Sequence, residues 1–259
     1  NNIQQIALAI MYTKKYNKLF FLINHPLIED FKFLANPFFS RIFYPIYKNR
    51  FFYYGSKKLT EIKPDYPITF TDYEYYKNHF HSVIKEIIKP KVKFIKEIKL
   101  DDNLLVLHVR NLEGHPDYVS NPISYYKYLF EIYENILLVT DNTEMPIIKE
   151  LQKLKNIEIQ SSTMENDFNT LIAAKNLATS GVGTYSISAA MMSKNLVNFY
   201  YSSFYLDRHL NPEMLNAGIN KTEIQLLNYP GFGKWSDKPK ILEKYLLSEI
   251  KYKIKTEFI

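Results

Sequence analysis

The chain has 259 residues, of which 46% are hydrophobic and 23% are charged. A chain this apolar can form a packed core, which excludes general disorder, and its 7 Gly and 12 Pro exclude collagen-like or linker sequence. It contains no run of about 18 apolar residues, so no transmembrane helix is predicted. The absence of cysteine excludes disulfides, thiolate zinc sites and thiol nucleophiles together.

The net charge of the chain is +6, and nearly all of its cations are lysines. Proteins that read nucleic acids favour arginine, and no nucleic-acid-binding motif is recognisable, so nucleic acid is not an expected partner. An anionic small molecule and peripheral contact with a membrane surface both fit this modest positive charge. Without a targeting peptide, the sequence predicts a cytoplasmic location.

The N-terminal part, residues 1–98, is predicted to begin with an amphipathic helix. Because an α/β fold seldom begins with a helix, we expect a first strand and its glycine-rich turn upstream of Asn1. Residues 25–70 are rich in Phe, Tyr and Pro and indicate irregular structure. The elements predicted in this part are a helix at 3–16, a strand at 19–24, a short strand at 50–54 and a helix at 72–89.

The second part, residues 99–236, alternates short apolar runs with helical patterns. This alternation is typical of a parallel sheet with helices on both faces, so the predicted fold class is α/β. The predicted strands lie at 104–109, 136–140, 157–160, 177–180 and 196–200, and the helices at 124–134, 143–154, 167–175 and 186–193. Residues 237–259 are predicted to form a polar C-terminal helix.

In such a sheet, ligands bind beyond the carboxyl ends of the strands. His108 and Arg110 end the first of these strands, and alternation places them on the same side. A rare arginine at this point suits the planar, bidentate hold on phosphate oxygens. An ordinary surface arginine beside a core histidine explains the same pattern.

Two further segments follow strands in this part. The loop at residues 181–183 leads into a helix whose unpaired N–H groups suit a phosphate, although a glycine turn with a Ser or Thr cap is the plainer interpretation. Asp167 either caps its helix or bonds the edge of a nucleobase. No Asp-x-Asp motif occurs, which argues against a carboxylate site for a metal ion and a diphosphate.

The order of these motifs resembles the fucosyltransferase-like glycosyltransferase superfamily, and in particular small glycosyltransferases of algae and large DNA viruses. The resemblance is carried by His-x-Arg at 108–110, Asp-Phe-x-x-Leu-x-x-Ala at 167–174 and Thr-Tyr-Ser at 184–186. It implies a GT-B arrangement of two Rossmann-like halves, with the acceptor side in residues 1–98 and the donor site in residues 99–236. It also implies inverting transfer of a sugar from a nucleoside diphosphate to a glycan hydroxyl, with no metal or other cofactor.

The resemblance assigns roles to particular residues. Arg110 would bind the diphosphate, and Asp167 would read the base. The residues it places at the donor site are His108, Arg110, Asp167, Phe168, Gly183, Thr184, Tyr185 and Ser186. Asn1 and Asn2 resemble the end of the family's Gly-Asn-Gln turn and are assigned to the acceptor side.

The acceptor hydroxyl needs a general base, and two carboxylates follow Arg110 closely. Glu113 stands where the family has Asp and is the favoured catalytic base, with Asp117 as the next candidate. Because the family's Arg-x-Gly-Asp is altered here, the sugar stays open among fucose, xylose and rhamnose. A viral member would act in the cytoplasm of its host.

A second class of function fits the same fold. The chain can be a non-catalytic Rossmann-like protein that binds a carbohydrate or a nucleotide, or another nucleotide-dependent transferase such as a methyltransferase. Methyltransferases usually carry a glycine-rich loop after the first strand and an acidic residue at the end of the second, and neither is seen here. The co-occurrence of the three motifs favours glycosyl transfer.

Overall fold

A computed structural model of the chain divides into two units, residues 1–95 and 96–259. The boundary lies a few residues before the predicted one. The structure describes residues 2–15, 19–22, 25–34, 54–55, 58–59, 73–110, 121–179, 181, 183–202, 212–215, 218–227 and 247–257.

The first unit begins with the predicted amphipathic helix, which buries Ile6, Ile10 and Met11. Both pairings between its described strands, β1 with β2 and β3 with β4, are antiparallel, so the parallel sheet predicted for this half is not found in the part that the structure describes. Its elements are α1 Asn2–Lys15, β1 Leu19–Leu22, β2 Phe31–Leu34, β3 Tyr54–Gly55, β4 Lys58–Leu59 and α2 Tyr73–Ser82. Helix α2 continues as a π-helical turn at Val83–Ile88 and a 3-10 turn at Lys89–Lys91.

The second unit confirms the predicted α/β alternation. Its strands are β5 Leu105–Val109, β6 Ile136–Thr140, β7 Glu158–Gln160, β8 Asn176–Ala178, β9 Asn198–Ser202, β10 Asn220–Leu226 and β11 Tyr252–Glu257. Its helices are α3 Ile123–Ile132, α4 Pro146–Leu154, α5 Met164–Ala173 and α6 Thr184–Met192, with a short 3-10 turn at Pro212–Met214. Strand β5 is buried along its whole length, as expected for a continuous apolar run at the centre of a sheet.

These strands form one seven-stranded sheet with the order β11-β10-β9-β8-β5-β6-β7. Every neighbouring pair is parallel except β10 with β11. Counted from β5, the parallel strands follow the doubly wound order 3-2-1-4-5-6. The chain runs outward from β5 to β7 and then returns to the other side of β5 as β8. The gap between the carboxyl ends of β5 and β8 is therefore the switch point at which such sheets bind ligands.

The predicted C-terminal helix is wrong over Tyr252–Glu257, which forms the edge strand β11 and pairs antiparallel with β10. Strand β10 was not predicted either. The segment around Ile254 alternates lysines with other residues at a period of two, which is a strand pattern. Because most of this edge strand is exposed, its polar residues need no apolar partner, and the alternation carries little hydrophobic signal.

Three asparagines begin β8, β9 and β10 and form a ladder across the amino edge of the sheet. Asn198 Nδ2 donates to Asn176 Oδ1 at 2.7 Å, and Asn220 Nδ2 donates to Asn198 Oδ1 at 2.9 Å. Asn176 Nδ2 also donates to the carbonyl oxygens of Asp102 and Leu104. The same asparagines are paired in the strand register, so the ladder fixes how these strands align.

We expect Asn198→Ala to lower the free energy of unfolding of the second unit by about 2–3 kcal/mol. The substitution removes the two hydrogen bonds of the ladder and leaves a partly buried amide on each side without its partner. Chemical denaturation followed by far-UV circular dichroism measures the change. The control is Asn156→Ala, at an exposed asparagine, which should stay close to the wild type. Equal stability of the two variants would contradict a stabilising ladder.

Candidate functional site

His108 lies next to the end of β5, on the border of the switch point. Its side chain is only 6% exposed, and its ring centroid lies 5.3 Å from that of Tyr185 in the first turn of α6. Its buried Nδ1 atom has no hydrogen-bond partner among the residues that the structure describes. The structure thus brings together two of the predicted donor-site residues that are far apart in the sequence.

The charge state of His108 follows from its surroundings. The pKa of the imidazole is lowered to about 4, chiefly by burial; the carboxylate of Asp141 opposes the shift, and the positive charge of Arg110 adds to it. His108 is therefore neutral at neutral pH. It can donate or accept hydrogen bonds but contributes no positive charge to the site.

Tyr185 connects the amino ends of α5 and α6. Its ring lies 5.1 Å from that of Phe168, and its hydroxyl donates to the carbonyl oxygen of Met164 at 2.5 Å. Burial raises the pKa of this hydroxyl, and the carboxylates of Asp167, Glu165 and Asp141 raise it further, so Tyr185 stays protonated. The predicted residues Phe168 and Tyr185 therefore hold two helix N-termini beside the end of β5.

The segment between β8 and α6 contains a residue whose backbone conformation favours glycine. Gly181 has φ of 98°, in the left-handed region that a residue with a side chain adopts only under strain. Gly183, which has no side chain, directly precedes α6, and the side chains of Thr184 and Ser186 in the first helical turn are buried. The backbone N–H groups in the first turn of α6 and the helix dipole suit a bound anion.

Asp167 is held by its neighbours. Gln160 Nε2 donates to its Oδ1 at 2.7 Å, and the backbone N–H of Ser162 donates to its Oδ2 at 3.2 Å. The cap of α5 is Thr163, whose hydroxyl accepts from the N–H of Asn166, so the interpretation of Asp167 as the cap is wrong. Asp167 instead ties the end of β7 to the first turn of α5. Its role in reading a base stays a prediction.

Sequence reasoning missed three polar residues at this edge of the sheet. Asp141 directly follows β6, so the rule that selected His108 and Arg110 would have selected it too. Thr179 directly follows β8 but lies inside the predicted strand at 177–180, so the rule passed over it. Asn121 precedes α3, and its Nδ2 donates to the carbonyl oxygen of Thr179 at 2.9 Å. Nothing near Asn121 in the sequence indicates that contact, because its partner is 58 residues away.

Of the remaining predicted residues, one lies in the first unit and three are not described by the structure. Glu113, Asp117 and Asn1 lie outside the described residues, and Asn2 begins α1 in the first unit. Within the described ranges, no group of three His, Asp or Glu side chains is placed to hold a metal ion. No helix in the part of the chain that the structure describes is long and apolar enough to cross a membrane.

Comparison with known proteins identifies no relative of this chain: no family model, no curated protein and no solved structure matches it.

The arrangement combines two kinds of binding surface. The guanidinium of Arg110 and the N–H groups that begin α6 provide positive charge. The neutral imidazole of His108 and the hydroxyl of Thr179 provide uncharged hydrogen-bonding atoms. A ligand with an anionic part and a neutral polar part is complementary to this edge of the sheet.

We expect His108 to stay neutral until the pH falls to about 4. In the unfolded chain its pKa returns to about 6.5, so the unfolded state takes up a proton first. The stability associated with the neutral ring is complete above pH 6.5 and is lost as the pH falls toward about 4. NMR titration of the His108 Cε1 proton measures the pKa directly, and a midpoint near 6.5 would contradict burial as the controlling factor.

The control for this titration is His108→Asn, which removes the ionisable ring. The unfolding free energy should fall less between neutral pH and about pH 5 in this variant than in the wild type.

Proposed function

We propose that the switch point in residues 96–259 binds a nucleoside diphosphate sugar and that the protein transfers the sugar to a glycan hydroxyl. The observation that supports this most strongly is the contact between His108, at the end of β5, and Tyr185, in the first turn of α6. It joins the His-x-Arg and Thr-Tyr-Ser motifs at the edge where doubly wound sheets bind nucleotides. The order of these motifs is the one that resembles glycosyltransferases.

The diphosphate is assigned to Arg110 and the amino end of α6. Arg110 directly follows β5, and Tyr185 places the first turn of α6 against the neighbouring His108 ring. A guanidinium can hold two phosphate oxygens at once, and helix N–H groups attract the same oxygens. This pairing of a planar cation with backbone donors supplies a diphosphate site from protein groups alone.

In the proposed reaction, the protein must above all stabilise the negative charge on the leaving diphosphate. Glycosyl transfer passes through an oxocarbenium-like state, and negative charge develops on the diphosphate as the glycosidic bond breaks. Donors that are already in place stabilise that charge without reorganising. We therefore assign Arg110 and α6 to the leaving group, and Glu113, with Asp117 as the alternative, to removal of the proton from the acceptor hydroxyl. This assignment requires no metal. If the acceptor hydroxyl attacks the sugar carbon on the face opposite the leaving diphosphate, the configuration at that carbon is inverted.

A nucleoside diphosphate should raise the melting temperature, because a ligand that binds only the folded state stabilises it. UDP, GDP, CMP and dTDP form the panel, and calorimetry on the best binder gives its affinity.

We expect Arg110→Ala to weaken that affinity roughly 10- to 100-fold through loss of charge-assisted hydrogen bonds, and Arg110→Lys to restore little.

The control for Arg110 is Lys153→Ala, which removes one positive charge from an exposed position on α4. This variant should bind like the wild type. Nucleotide binding that is equally strong in wild type and Arg110→Ala would refute the assigned diphosphate site.

Glu113→Gln should leave nucleotide affinity nearly unchanged and lower the rate of transfer by roughly 10²–10⁴-fold, the usual range for a lost general base. Single-turnover transfer from radiolabelled donor measures the rate, in EDTA and again with Mn²⁺, and the wild-type rates should agree. Transfer at the wild-type rate would exclude Glu113 as the base, and Asp117→Asn would then be tested. Tight nucleotide binding without any transfer would favour the non-catalytic alternative.

A further inference from the structure

Thr179 carries a buried hydroxyl that the proposed function does not yet use. Its backbone is held on both sides: its N–H donates to the carbonyl oxygen of Tyr200 at 3.0 Å, and its own carbonyl oxygen accepts from Asn121 Nδ2 at 2.9 Å. The residue is 0% exposed, and Oγ1 has no hydrogen-bond partner within the described ranges. Since buried polar atoms are nearly always hydrogen-bonded, this hydroxyl requires an explanation.

The strand register places Thr179 beside His108. Leu107 and Ala178 are the last paired residues of β5 and β8, and the residues that follow them are His108 and Thr179. Neighbouring residues on parallel strands lie on the same face of the sheet, so these two side chains share a face. His108 Nδ1 is likewise a buried atom without a partner among the described residues. Two such atoms therefore lie on adjacent strands at the switch point.

The charges nearby favour an uncharged group at this pair. The imidazole is neutral because it is buried, and the carboxylate of Asp141 acts on it electrostatically. A phosphate is better placed at Arg110 and the first turn of α6. A hydroxyl group matches the pair, because it can donate one hydrogen bond and accept another, as the imidazole and the threonine hydroxyl require.

We propose that Thr179 and His108 bind a ribose hydroxyl of the nucleotide, and that Thr179 thereby selects ribonucleotides over deoxyribonucleotides. This inference rests on the proposed function, since it names the part of the donor that the switch point recognises. Asn121 acts as a positioning residue in this arrangement, because its amide holds the carbonyl oxygen of Thr179.

The test is Thr179→Val, which keeps the shape of the side chain and removes the hydroxyl. Affinities for UDP, GDP, their 2′-deoxy and 3′-deoxy forms and pyrophosphate are measured by calorimetry. We expect the variant to bind UDP or GDP roughly three- to tenfold more weakly, as for one lost hydrogen bond, and to bind one of the deoxy forms and pyrophosphate as the wild type does. Its melting temperature should be unchanged or higher, because an unpaired buried hydroxyl is removed.

Two variants control for structural effects. Thr179→Ser retains the hydroxyl and should keep the preference for the ribonucleotide. Ser202→Ala removes another buried hydroxyl that lacks a partner among the described residues, at the end of β9, which is separated from β5 by β8. It should alter neither affinity nor the preference.

Three results would overturn the inference in distinguishable ways. If Thr179→Val still prefers the ribonucleotide as strongly as the wild type, the hydroxyl does not contact ribose, while the proposed function stands. If pyrophosphate binding weakens by the same factor as nucleotide binding, the hydroxyl contacts phosphate instead. If neither UDP nor GDP binds to the wild type, the inference and the proposed function fail together.

Discussion

The candidate site depends on one feature of the topology: after β7, the chain returns to the other side of β5 and forms β8 there. Strand β5 pairs with β6 on one side and with β8 on the other, and both pairings are parallel. The connections that leave β5 and β8 therefore start from the same edge of the sheet, with α3 and α6 following them on separate paths. This topology brings together residues that are about 70 positions apart, which no local feature of the sequence could do.

The two edges of the sheet use polar side chains in opposite ways. At the amino edge, Asn176, Asn198 and Asn220 bond one another, so their polar atoms stabilise the register. At the carboxyl edge, His108 and Thr179 each bury an atom that lacks a partner in the described structure. Unpaired buried atoms lower stability, and a fold tolerates them where binding requires them. This contrast between the two edges supports the proposed binding site at the carboxyl edge.

The sequence predicts the parts of the second unit in which hydrophobic pattern decides structure. The apolar runs that became β5 and β6 are central strands, and burial on both faces makes such runs easy to recognise. The edge strand β11 was missed because its exposed residues are not selected for hydrophobicity. At the site, the rule that ligands bind beyond the carboxyl ends of parallel strands selected His108 and Arg110. It could not show that Asp167 bonds Gln160, because that contact depends on how α5 packs beside β7.

Burial and charge together divide the carboxyl edge into a neutral and a cationic part. Burial opposes protonation of His108, and burial together with nearby carboxylates raises the pKa of Tyr185, so neither ring is charged at neutral pH. The positive charge of the edge is left to Arg110 and to the N–H groups of α6. A nucleotide has the same division between neutral nucleoside and anionic diphosphate. A uniformly cationic surface would attract such a molecule but could not orient it, whereas a divided one would align the diphosphate of the proposed donor with the groups assigned to bind it.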